Sequence, residues 1–78
     1  MAKSIYDDEY RSLIRRLRDQ RVSVGMTQQA LADALGKPQS FVAKVEGCER
    51  RLDVIEFKHW CEALGVDAGL YLNAYIDD

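Results

Sequence analysis

The chain has two cysteines, Cys48 and Cys61, and one histidine, His59, which are candidate zinc ligands and nucleophiles. The two cysteines lie thirteen positions apart with no CxxC pair and no fourth ligand, so the spacing argues against a zinc site. Cys61 shares a helical stripe with Phe57 and Leu64, where a thiol usually packs as a small apolar side chain. The sequence shows no Ser/His/Asp constellation beyond chance and no glycine-rich phosphate loop. We therefore expect no enzymatic activity, no metal and no cofactor.

Two charged residues lie on helical stripes that otherwise point inward. Arg21 is four residues after Leu17, and Glu46 is four residues after Val42 on a different predicted helix. A lone buried charge is strongly unfavourable, so we predict that Arg21 and Glu46 form an ion pair that joins the two helices. The alternative is that both side chains reach solvent at the helix ends.

The middle of the chain predicts two short helices joined by a tight turn at Gly36, where positive φ costs little. Thr27 is a good N-cap for the first of them, which is expected to end at about Leu35. Pro38 is tolerated only near a helix start. The second helix is therefore expected to begin within a residue of Pro38 and to continue to Glu46.

Three further helices are expected around this pair. The first spans about Asp7 to Val24, another runs from a capping box of Asp53 and Glu56 to about Leu64, and the last covers about Asp67 to Ile76. The last helix is apolar on more than one side, so it either covers the core of its own subunit or forms a self-association surface. The inward residues predicted for the first helix are Tyr6, Tyr10, Leu13, Ile14, Leu17 and Val24. Those predicted for the helix that ends at about Leu64 are Val54, Phe57, Trp60, Cys61 and Leu64.

Length and charge narrow the class of protein. Seventy-eight residues suit a single domain, residues 1–78, with a small core that a dimer partner would enlarge. The net charge of −2 conceals a gradient, because residues 1–26 carry +2, residues 27–51 carry +1 and residues 52–78 carry −5. Such a chain can present a mildly positive face to phosphate. No membrane span or signal peptide is evident, so we expect a cytoplasmic protein.

The chain resembles the Cro/CI-type (XRE) family of helix-turn-helix DNA-binding proteins of bacteria and phages over about Leu13 to Val66. TQQALADALG resembles the family's second helix, QSFVAKVEG its recognition helix, and LDVIEFKHWCEALGVD its fourth helix and the turn beyond. Arg21 and Glu46 fall where the family places its own inter-helix ion pair. The resemblance implies an all-α, compact five-helix, lambda-repressor-like DNA-binding domain, with a C-terminal helix at about residues 67–76.

The resemblance also implies the roles of individual residues. Gln28 would bind a backbone phosphate and help to orient Gln39, while Gln39, Ser40 and Lys44 would face the major groove. The helical period agrees, because positions 39, 40, 43, 44 and 47 share one arc of the third helix, opposite Pro38, Val42 and Val45.

The side chains on this arc suit contacts with base edges. Gln39 can form a bidentate contact with N6 and N7 of adenine, and Lys44 can donate to O6 and N7 of guanine. Ser40 is more adaptable, and Ala43 is small enough to let the helix approach and contact a thymine methyl group. Phe41 lies at the boundary of the arc, where it either packs partly against the second helix, the reading we favour, or contacts a thymine methyl.

The segment after the third helix carries Arg50 and Arg51, which we predict to contact phosphates without reading sequence. Alternatively, they bridge to Glu49 or to the acidic C-terminal segment. The family's usual glycine comes one position later than Gly47, where this chain has Cys48. We therefore expect the helix to end differently from the family pattern, which would displace the arginine loop.

These features predict a sequence-specific transcriptional regulator, bound to double-stranded DNA within the cytoplasm and therefore nucleoid-associated. Repression of a palindromic operator by a homodimer is the expected mode, and contact with RNA polymerase or a toxin is compatible with it. The alternative is a protein-interaction module with the same fold, such as an antitoxin or a partner of a larger regulator. The acidic balance and the apolar fifth helix motivate that alternative.

Overall fold

The computed structural model describes the backbone of residues 2–76 and the side chains of residues 8–73. Residues 2–76 form five helices and no strand, which confirms the predicted all-α fold. The helices are α1 (Ala2–Ser23), α2 (Gln28–Leu35), α3 (Gln39–Glu46), α4 (Val54–Leu64) and α5 (Ala68–Ile76). None of the helices in this range combines the length and apolar character that a bilayer crossing requires.

The boundaries of the middle helices follow from local capping. The Thr27 hydroxyl accepts a hydrogen bond from the Ala30 backbone N–H at 3.0 Å and starts α2. Gly36, with φ at +69°, ends it in the left-handed conformation that a residue without a Cβ adopts readily. Asp53 and Glu56 form the predicted reciprocal capping box at the start of α4.

The core lies where α1 and α4 meet the pair formed by α2 and α3, and α5 packs against α4. Helices of eight residues, such as α2 and α3, are too short to be stable alone, so this packing maintains them. The buried hydrophobic residues are Ile14, Leu17, Leu31, Ala32, Val42, Val45, Phe57, Trp60, Cys61 and Leu64.

Four predictions at the ends of the helices are wrong. The first helix begins at Ala2 rather than at about Asp7, because the intervening residues include neither glycine nor proline to stop it. Val24 lies beyond the end of that helix and is 50% exposed, while Val54 is the first residue of α4 and is 70% exposed. Pro38 is the N-cap of α3 and is exposed, so the helical arc does not extend to it.

Only part of the apolar surplus of α5 covers the core of its own subunit. Tyr71 and Leu72 are half-buried against the core, whereas Leu70 is 69% exposed. The predicted inward position of Tyr6 and the side chains of residues 74–76 lie outside the described side chains.

Arg21 and Glu46 form an ion pair between α1 and α3. Arg21 Nε donates to Glu46 Oε2 at 2.7 Å, and Nη2 donates to Oε1 at 3.0 Å. Arg21 Nη1 donates to the Met26 carbonyl at 2.7 Å. The side chains of the pair are only 10% and 5% exposed, so neither reaches freely into solvent.

Replacing Glu46 with Gln is expected to lower the free energy of unfolding by about 3–5 kcal/mol, because Arg21 would remain buried without its counter-charge. Urea denaturation followed by circular dichroism at neutral pH measures this loss.

Glu62→Gln is the matched control, because it neutralises a carboxylate in the solvent-exposed Lys58–Glu62 pair, where both side chains are 59% exposed. We expect this variant to lose less than about 1 kcal/mol. Equal losses in the two variants would contradict a structural role for the buried pair.

Candidate nucleic-acid interface

Hydrogen bonds connect the buried ion pair to the first residue of α3. Gln28 Nε2 donates to Glu46 Oε1 at 2.9 Å, and Gln39 Nε2 donates to Gln28 Oε1 at 2.7 Å. These bonds fix the orientation of the Gln39 amide. Its Oε1 and its second N–H remain able to form hydrogen bonds with other partners. The polar end of Gln39 is therefore oriented before any ligand arrives.

The outward arc of α3 brings together the four residues that the sequence assigns to base contacts. Gln39, Ser40 and Lys44 are exposed, and Ala43 is half-buried. Within residues 8–73, the side chains of Ser40 and Lys44 have no hydrogen bond or ion pair to another residue. Their donors, together with the free atoms of Gln39, can therefore be satisfied by an external polar surface.

Phe41 is half-buried, and its principal aromatic partner belongs to α4 rather than to α2. Its ring centroid lies 6.0 Å from that of Trp60, with 52° between the planes. The ring also borders a small space beside Leu35 of α2. Two cations face it, with the Arg50 guanidinium at 4.7 Å and Lys37 Nζ at 5.4 Å from the centroid. Phe41 thus supports the loop that follows α3.

The end of α3 has an unusual backbone. The helix ends at Glu46, Gly47 has an ordinary φ of −85°, and Cys48 takes the left-handed conformation with φ at +60°. A residue with a Cβ is disfavoured there by steric contact with the backbone. The glycine of this chain is therefore one position too early to relieve the strained turn.

Cys48→Gly is expected to raise the free energy of unfolding by about 1 kcal/mol, because glycine adopts positive φ without steric cost. Urea denaturation under reducing conditions measures the change. Cys48→Ala removes the thiol but keeps the Cβ, so it should remain close to the parent protein; a gain as large in Cys48→Ala would show that backbone strain is not the cause.

The loop after α3 is anchored by contacts with α1 and α4. Arg50 forms a two-pronged ion pair with Glu56, at 2.9 and 3.0 Å. The Arg51 guanidinium lies 4.4 Å from the centroid of the Tyr10 ring, and the Tyr10 hydroxyl accepts from the Leu52 N–H at 3.2 Å. Arg50 and Arg51 are exposed, and the partner of Arg50 belongs to the acidic C-terminal segment rather than being Glu49.

The Arg50 contact changes the titration of both partners. Hydrogen bonds from the Arg50 guanidinium, and then from the Asp53 N–H, lower the pKa of Glu56 below its ordinary value. The hydrogen bond with Glu56 in turn raises the pKa of Arg50. Because the pKa of Glu56 is lower in the folded state, its contribution to stability is present above the ordinary glutamate pKa and is lost as the pH falls through the lowered value.

We expect Glu56→Gln to lose part of the dependence of stability on acid pH. The amide oxygen of the substituted side chain would still accept the hydrogen bond of the capping box, so the variant removes mainly the charge. Urea midpoints measured from neutral pH to about pH 3, below the ordinary pKa of a glutamate, test this. Parallel curves for the variant and the parent would contradict the role of the Arg50–Glu56 pair.

The two cysteines occupy different environments and are both free thiols. Cys61 is buried in the core, where burial raises its pKa to about 11 and keeps the thiol protonated. Cys48 is half-buried in the strained turn. Among the described residues, no three His, Cys, Asp or Glu side chains are grouped to hold a metal ion.

The chain matches a protein family and solved structures. A helix-turn-helix family model matches residues 17–70, from within α1 to the start of α5. No curated protein sequence matches the chain. Among solved structures, an XRE-family like protein from Pseudomonas syringae pv. tomato str. DC3000 superposes with a TM-score of 0.90. It is 45% identical, and the match covers 94% of this chain and 89% of that one.

Proposed function

Because the chain belongs to the XRE family of helix-turn-helix proteins, we propose that it is a sequence-specific transcriptional repressor that binds a palindromic operator as a homodimer. The observation that carries this proposal is the hydrogen-bonded series from Glu46 through Gln28 to Gln39 at the exposed start of α3. A side chain that is already oriented loses less conformational freedom when it binds. Gln39 is thereby suited to discriminate between bases.

Base recognition is assigned to the outward arc of α3. Gln39 contacts N6 and N7 of adenine, and Lys44 donates to O6 and N7 of guanine. Ser40 supplies an adaptable hydroxyl, and Ala43 allows close approach of the helix and contact with a thymine methyl. The exposure of the three polar residues supports this assignment.

Backbone contacts are assigned to residues on either side of the arc. Gln28 lies at the start of α2, where a free amide N–H and the helix N-terminus favour a phosphate. Arg50 and Arg51 lie beyond the other end of α3. The Arg50 side chain is 43% exposed, so water partly screens its ion pair with Glu56 and a phosphate can share or replace the carboxylate.

Two-fold symmetry would match a palindromic operator to the homodimer. Recognition helices about 34–36 Å apart enter successive major grooves on one face of the duplex. The exposed apolar side chains of Val54, Ile55 and Leu70 provide surface that a second subunit could bury. Repression then requires only that the dimer occupies promoter DNA.

Selection from random duplexes tests the proposal directly, and we expect it to recover a palindrome. On the recovered site, Gln39→Ala and Lys44→Ala should each weaken binding by about 1–3 kcal/mol, because each removes a bidentate base contact. The loss should be much smaller on a duplex of the same composition in scrambled order. Fluorescence anisotropy at fixed salt measures both affinities.

Lys58→Ala is the matched control, because Lys58 is an exposed lysine on α4 that pairs with Glu62 rather than lying on the arc. It should leave the preference for the selected duplex unchanged. Recovery of no preferred sequence would overturn the repressor proposal and favour the protein-interaction module. A preferred site without two-fold symmetry would overturn the homodimer.

A further inference from the structure

Three arginines on α1 form an exposed row that the proposed base and phosphate contacts do not use. Arg11, Arg15 and Arg18 follow one another at intervals of four and three residues, so they share one face of the helix. All three are exposed. We call these three residues the arginine strip.

No ion pair holds the arginine strip within the part of the chain whose side chains are described. Asp8 and Asp19 lie next to it on α1, yet none of the three arginines forms an ion pair or hydrogen bond with another residue in the range 8–73. Glu46 lies close to the strip but is bound by Arg21. The three guanidinium groups are therefore available to bind an external anion.

The arginine strip adjoins the end of the arc assigned to base recognition. Its three side chains line a groove of about 250 Å³ together with Gly47 and Cys48. Gly47 is the C-cap that directly follows α3, the helix whose arc carries Gln39 and Lys44. Arg11 also lines a neighbouring groove with Cys48 and Arg51, so the positive surface continues to the loop after α3.

From this continuity we propose that the arginine strip contacts backbone phosphates of the same duplex, beside the bases that α3 reads. The inference rests on the proposed DNA binding. Arg18 lies seven positions after Arg11, a rise of about 10 Å along the helix. Over that length one strand of duplex DNA carries about three phosphates. Guanidinium groups bind phosphate oxygens with two parallel hydrogen bonds, which suits the strip to this ligand.

The position of the strip favours DNA over an acidic protein as its partner. A single duplex against α3 would reach the arc and the strip together, because the groove of the strip includes Gly47, the residue that follows α3. An acidic protein would need a separate binding event on the same face. The strip would therefore widen the footprint on DNA without adding sequence information.

The test compares the parent protein with a triple variant, Arg11→Gln, Arg15→Gln and Arg18→Gln. Affinity is measured by fluorescence anisotropy for the selected duplex and for its scrambled counterpart, between about 50 and 200 mM salt. We expect the triple variant to lose about ten- to a hundredfold in affinity on both duplexes. The slope of log K against log salt should flatten by about 0.9 for each phosphate contact that is lost.

Two controls identify the cause of any loss. Substituting lysine at the same three positions preserves the positive charge, so most of the salt dependence should remain. A selected duplex shortened to the base-reading site removes the flanking phosphates, so on it the parent and the triple variant should bind alike. Circular dichroism and the melting temperature should be unchanged in both variants, since all three positions are exposed.

The outcomes separate this inference from the proposed function. If the triple variant keeps the affinity and salt slope of the parent while Gln39→Ala loses sequence preference, the arginine strip proposal is overturned and the repressor proposal stands. If the parent shows no sequence preference but the triple variant still flattens the salt slope, the repressor proposal is overturned and the arginine strip proposal stands. If the parent binds no duplex, both proposals fail. Poly-glutamate serves as a probe for an acidic protein partner. If the parent binds it and the triple variant does not, while both bind DNA equally, the strip would be assigned to an acidic protein instead.

Discussion

The buried ion pair of Arg21 and Glu46 constrains the geometry of the first three helices. Two nearly buried charges are tolerable only when their hydrogen-bonding groups are satisfied. Arg21 meets this condition with both oxygens of Glu46 and the carbonyl of Met26. Glu46 Oε1 also accepts from Gln28, which in turn accepts from Gln39. The orientation of an exposed amide on α3 is therefore a consequence of satisfying a carboxylate in the interior.

The opposite end of α3 depends on contacts that are weaker and more exposed. Cys48 holds a left-handed backbone without a glycine, and the loop beyond it is anchored by Tyr10 and by the Arg50–Glu56 pair. Glu56 also belongs to the capping box of α4, so one carboxylate stabilises both the loop and the helix start. Because water screens this pair, its arrangement can change at smaller cost than that of the buried pair. The two ends of α3 thus differ in rigidity for an electrostatic reason.

Local signals in the sequence predict the five helices and the exposure of Gln39, Ser40 and Lys44, but not the contacts of the loop after α3. The caps at Thr27 and Asp53 predict helix starts because their chemistry involves residues three positions away. Val24 and Val54 were misassigned because the helical period gives a direction but not whether a neighbouring element covers that end of the helix. The partner of Arg50 depends on where α4 packs. The sequence assigns Glu56 only to the capping box of α4, so it gives no reason to pair Glu56 with Arg50. Such pairings arise from tertiary structure and leave no spacing signal.

Net charge is a poor guide to the electrostatic character of the candidate interface. The value of −2 arises because residues 52–78 carry −5, while the arginine strip, Lys44 and Arg51 lie in the earlier part of the chain. At physiological ionic strength, interactions between exposed charges are screened beyond about 8 Å. A polyanion close to α3 would therefore interact mainly with the nearby cations. The acidic segment would repel the polyanion chiefly while it is still distant. On this argument, lowering the salt concentration strengthens the local attraction and also extends the range of the opposing net charge.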